Sequence, residues 1–107
     1  LQFLPIEARK KVISNIYNAL NEGGALLLVE KTYPANVQCN DIFTQIYHDF
    51  KEKRGLTASE IREKDKSLRS KLTPLPLDKN IKILREQGFE TDVFFKYLNF
   101  AGIICLK

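Results

Sequence analysis

The chain has 107 residues, 17 Lys and Arg against 13 Asp and Glu, a formal net charge of +4, and 44% hydrophobic residues. The apolar fraction excludes wholesale disorder, and the length suits one small domain. The longest apolar run, Ala25-Leu26-Leu27-Leu28-Val29, is strand-sized, so no membrane span or secretory signal is expected.

The sequence contains no Met and opens Leu1-Gln2-Phe3-Leu4-Pro5 with an apolar run already under way, which suggests a piece of a longer protein. From Pro5 to about Asn21, Ile6, Val12, Ile13, Ile16, Tyr17 and Leu20 recur at helical spacing. Pro5 suits a first helical turn, where its missing N–H costs nothing. Gly23-Gly24 stops the helix, and the apolar run after it reads as a strand buried on both faces, with parallel neighbours that an N-terminal piece would supply. Thr32 to Asn36 is a loop. A second helix is expected from about Asn40 to Lys53, with Ile42, Phe43, Ile46, Tyr47 and Phe50 on its apolar face and Gly55 ending it.

Thr57-Ala58-Ser59-Glu60 fits a capping box for a third helix reaching about Leu72. That helix is mostly charged, with only Ile61, Leu68 and Leu72 as an apolar stripe, so it suits a lid, an edge or a subunit contact. Pro74 and Pro76 break the chain, Asp78 is expected to cap a short helix carrying Ile81 and Leu84, and Gly88 stops it. Val93 to Leu98 and Ile103 to Leu106 read as a hairpin turning through Asn99 to Gly102. The order is helix–strand–helices–strand–strand, an α/β arrangement.

Cys39 and Cys105 lack metal-type spacing and are expected to be free thiols in a cytoplasmic protein, with a single disulfide as the alternative. One histidine, His48, builds no metal site alone, and none is expected. The Lys and Arg residues alternate with acids, as a solvated helix face does.

Several spaced segments carry a family resemblance: Leu1-Gln2-Phe3-Leu4-Pro5, Gly23-Gly24-Ala25-Leu26, Glu30-Lys31, His48-Asp49-Phe50-Lys51, Glu60-Ile61 and Asn99-Phe100. Together they resemble the C-terminal half of a class I S-adenosylmethionine-dependent methyltransferase, and more closely the carboxy-S-adenosylmethionine synthases, which serve tRNA wobble-uridine modification. The resemblance implies a Rossmann-like doubly wound sheet whose last strand inserts antiparallel. It also implies S-adenosyl-L-methionine as cofactor and a helical lid inserted at about residues 36–75. The family's glycine-rich cofactor loop has no counterpart here, so a cofactor-binding N-terminal half is expected to lie outside residues 1–107, and the fragment alone to be inactive. In the synthases an arginine pairs with the cofactor's extra carboxylate. By register that position is Asp65, which would repel a carboxylate and favours ordinary methyl transfer. Carboxy-cofactor synthesis and a non-catalytic interaction piece are the alternatives.

Several residues are candidates for the site. Leu1, Gln2 and Phe3 fall at the carboxyl edge of the expected sheet and either border the cofactor or serve as a plain connection. Glu30 ends the first strand at that edge, where it either orients an amine or hydroxyl acceptor or pairs with Lys31. His48 has the titration range of a general base but also suits a half-buried structural role. Asp65 and Arg69, four apart, either belong to the site or form a surface ion pair. The acceptor is expected to be a small molecule or tRNA-linked, and helix 57–72 is a candidate homodimer contact.

Overall fold

A computed structural model describes all 107 residues. Helix α1 (Ile6–Ala19) follows Pro5 without a side-chain cap. Its chain then turns through Gly23, whose φ of 75° is the left-handed conformation that glycine accepts freely. Strand β1 (Ala25–Tyr33) runs four residues beyond the apolar stretch, through Glu30, Lys31 and Thr32. Helix α2 (Val37–Lys53) starts three residues earlier than the periodicity suggested. The cause is Asn36, whose side chain accepts from the Gln38 N–H at 2.8 Å and closes the first turn.

Helix α3 (Ala58–Arg69) carries the expected capping box, with the Thr57 N–H donating to Glu60 at 2.7 Å and the Glu60 N–H to the Thr57 hydroxyl at 3.2 Å. The proline segment is not merely a break, because Leu75–Pro76 forms a two-residue strand, β2. Helix α4 (Leu77–Glu86) follows directly. Pro76 occupies its N-cap and Asp78 lies inside the first turn, so Asp78 is not the cap. Strands β3 (Glu90–Tyr97) and β4 (Phe100–Leu106) form the hairpin, but its turn is Leu98-Asn99 rather than Asn99 to Gly102. Leu98 sits at φ 48°, an uncommon conformation for a residue with a Cβ.

The four strands order as β2-β1-β4-β3. C-terminal β4 lies between β1 and β3 and runs antiparallel to both, pairing Leu28 with Ile103 on one side and Val93 with Ile103 on the other. β2 adds a parallel edge at Thr32 and Tyr33 only. This mixed α/β sheet with an inserted antiparallel last strand matches the C-terminal half of a Rossmann-like fold.

One sheet face is packed. Ile13 from α1, Ile83 and Leu84 from α4, Phe89, Ile103 and Cys105 form the buried cluster, with Leu26 and Leu28 against it. The opposite face carries Leu27 and Val29, which stay 64% and 60% exposed. Strand β1 is therefore apolar on both sides and covered on one by these residues, with short β2 as a parallel neighbour and β4 as an antiparallel one. No helix is long and apolar enough to cross a membrane.

Candidate functional site

The carboxyl ends of strands are where open α/β sheets hold ligands. At the end of β1, Val29, Glu30 and Lys31 face Tyr47 and Lys51 from α2 and Ile61 and Leu68 from α3 across a cavity of about 820 Å³. That size suits a small molecule. A smaller cavity of about 380 Å³ adjoins it, shares Lys31, Asp65, Leu68 and Leu72, and extends to Arg69 and Asn99. The apolar residues of the third helical segment, Ile61, Leu68 and Leu72, thus line the larger cavity.

Glu30 is the most unusual group here. It points to the packed side of β1, is only 6% exposed, and its Oε1 has no hydrogen-bond partner. Burial pushes the Glu30 carboxyl above the ordinary range, against the opposing pull of Arg9. Arg9 is 1% exposed. Its Nη2 donates to the carbonyls of Thr73 at 2.9 Å and Leu4 at 3.3 Å, whereas Nε and Nη1 have no partner. The pair is electrostatically coupled without direct contact, so each charge remains partly uncompensated.

The three opening residues separate in role. Gln2 donates its side-chain amide to the Lys31 carbonyl and accepts from the Lys31 N–H at 3.1 Å, so both ends of the amide are bound to backbone. Phe3 is 63% exposed and lines the larger cavity rather than the core. Leu1 packs against the core cluster.

His48 lines neither cavity. Its Nε2 lies 2.5 Å from Asp65 Oδ2, and Lys51 Nζ lies 3.6 Å from Asp65 Oδ1. Asp65 consequently pairs across two helices instead of with Arg69 on its own. Lys51 also sits 4.4 Å above the Tyr47 ring. Among the residues bordering the larger cavity, a bare carboxylate at position 65 is thereby replaced by one already matched with a cation.

Arg9 and Lys51 escaped the sequence reading. Arg9 falls on the α1 stripe between Ile6 and Ile13, and a charge at such a position signals a buried, bonded group. Lys51 is one turn beyond Tyr47 on α2 and shares its inward side, a relation visible only once the partner helix is known.

No protein-family model matches the chain. Curated relatives named carboxy-S-adenosyl-L-methionine synthase match all of it. The protein from Staphylococcus epidermidis is 49% identical, with 47% of its own length covered. That from Methylococcus capsulatus is 39% identical with 45% covered, and that from Chromohalobacter salexigens 42% identical with 40% covered. The chain spans about half the length of the curated relatives it matches. By its sequence, the chain is similar over its whole length to proteins named carboxy-S-adenosyl-L-methionine synthase, which supports an S-adenosylmethionine-dependent, methyltransferase-like relative.

Proposed function

We propose that the protein catalyses methyl transfer from S-adenosylmethionine, and that this chain forms the acceptor side of the site. The observation that carries this reading is Glu30, a buried carboxyl among the residues lining the 820 Å³ cavity, whose Oε1 makes no hydrogen bond within the chain. Such a group accepts a hydrogen bond from an acceptor hydroxyl or amine, orients its lone pair, and can take up the proton released. Tyr47, Phe100 and Leu68 supply apolar walls that exclude water and align the acceptor.

The residues present fit the cofactor in part. The aromatic walls and the Glu30 oxygen suit one side of a binding site, but no strand-to-helix turn with a glycine-rich pattern exists in the chain to cradle the rest. Bound S-adenosylmethionine supplies an electrophilic methyl on sulfonium, and the remaining contacts are assigned to the part of the relatives' length that this chain does not cover.

Carboxy-S-adenosylmethionine synthesis is the second reading. The names of the relatives favour it, and so does Lys51, which offsets the Asp65 charge at the cavity wall. The acceptor is a small molecule or a tRNA-linked nucleotide, and a steep salt dependence of tRNA binding would select the latter.

Calorimetric titration of the full-length protein with S-adenosylmethionine tests cofactor use. Saturable binding is expected, and none at millimolar cofactor overturns both readings. Mass spectrometry of the products then separates them, since one yields a methylated acceptor and the other a carboxylated cofactor.

A further inference from the structure

Helix α3 is weakly tied to the rest of the chain. Ile61 is its only buried residue. Its other side-chain hydrogen bonds are local: Glu60 with Thr57, Arg62 with the Ala58 carbonyl, and Ser67 with the Lys64 carbonyl. Every side-chain hydrogen bond and ion pair that leaves α3 passes through Asp65, to His48 at 2.5 Å and to Lys51 at 3.6 Å. The same helix contributes Asp65 and Leu68 to both cavities, so it is their common wall.

We infer that Asp65 is a positioning residue. It grips α2 through His48 and Lys51, sets the α3 wall between the two cavities, and does so more tightly when His48 is protonated. The side chains are 16–25% exposed, so water screens their attraction less than that of a fully exposed pair. A carboxylate holding two cations is satisfied on both oxygens. An imidazole changes charge between about pH 5 and 8, and a neutral ring donates a weaker, uncharged hydrogen bond, which leaves Lys51 as the one cation on Asp65.

The surrounding charges do not provide a substitute. On α2, Asp49 accepts from Gln45 at 2.8 Å. On α3, Glu60 is bound by Thr57. Lys64 of α3 and Lys31 of β1 border the larger cavity, and Arg69 and Asp41 the smaller. None of these forms an ion pair with His48, whose one charged contact is Asp65. The grip therefore weakens as pH rises through the imidazole range and persists in part through Lys51.

The consequence for ligand binding rests on the reading of these cavities as the substrate site, but the grip itself is measured without ligand. Amide hydrogen exchange of the full-length protein is followed at about pH 5.5 and 8.0, with each rate corrected for its intrinsic pH dependence. Residues 58–69 should be protected about fivefold more at the lower pH, whereas α1 should not change. Asp65→Asn and His48→Gln should abolish the difference, and His48→Lys, which places a permanent cation there, should make protection high at both pH values. Equal α3 protection at the two pH values in the unmodified protein overturns the proposal, as does an undiminished difference in His48→Gln. If the grip is present but S-adenosylmethionine does not bind, the functional reading fails and the positioning role stands.

Discussion

The side-chain amide of Gln2 bonds to both the N–H and the C=O of Lys31, taking the place that a neighbouring strand would occupy. Strand β2 reaches only Thr32 and Tyr33 on that edge, so Gln2 extends the pairing by one residue toward Glu30. Gln2→Ala should cost about 1–2 kcal/mol by leaving two backbone groups without partners. Urea denaturation of the two proteins measures this. A midpoint unchanged by the substitution would mean that water replaces the amide fully.

Burial raises the Glu30 carboxyl's affinity for its proton in the folded state. The stability linked to that proton is fully present below the unfolded carboxyl range and is lost as pH rises through the higher folded value. Glu30→Gln, which is neutral throughout, should therefore gain relative to the unmodified protein as pH climbs from about 4 to 7. Thermal unfolding across that range checks the sign, and a gain that shrinks with rising pH contradicts it.

Gly88 follows α4 at φ 101°, and a Cβ there would lie 2.9 Å from Tyr17 Cζ and 3.1 Å from its hydroxyl oxygen. Tyr17 packs edge-on against Phe89 with ring centroids 5.0 Å apart, which restricts its retreat. Gly88→Ala combines a left-handed backbone with a displaced ring and should cost about 2–3 kcal/mol. Chemical denaturation reads the loss, and a value below about 0.5 kcal/mol would show that the turn relaxes freely.

Thr57 caps α3 from both directions, and its bonds hold the Glu60 carboxyl below the ordinary range. Thr57→Ala should lower the stability of α3 by about 1 kcal/mol. In the unmodified protein the capping stability is present above the unfolded carboxyl range and fades as pH falls through the depressed folded value. Exchange rates of the first-turn amides of α3, compared with those of α1, report both effects.

Cys105 is buried, and burial raises its thiol to about 11, whereas Cys39 on α2 is partly exposed. Because the thiolate is the reactive form, Cys105 should be almost inert to alkylation at about pH 8. Mass spectrometry of the native protein after brief treatment with iodoacetamide should find one label, at Cys39, and two only after denaturation. Early labelling of Cys105 would reveal frequent opening of the core.

Periodicity, glycine stops and the Thr57 to Glu60 spacing were enough to recover α1, α3 and the hairpin, because these features act within a few residues of themselves. The same local signals misplaced the start of α2, where an Asn36 side chain decides the boundary, and hid β2, where Leu75 and Pro76 form a parallel edge with Thr32 and Tyr33. Glu30 and Phe3 were recognisable as site candidates from their places beside the strand end. That the Gln2 amide is bound to backbone was not recognisable, since its partner lies 29 residues away.

The sequence alone determined the α/β class, the charged character of α3 and the relation to S-adenosylmethionine enzymes, because composition, short-range geometry and aligned motifs carry that information. Only the tertiary structure decided which charges meet. It buried Glu30 with an oxygen that makes no hydrogen bond, buried Arg9 within its electrostatic reach, and gave Asp65 to His48 and Lys51 rather than to Arg69. Electrostatic and solvation energies depend on distance and burial in space, and neither is a function of separation along the chain.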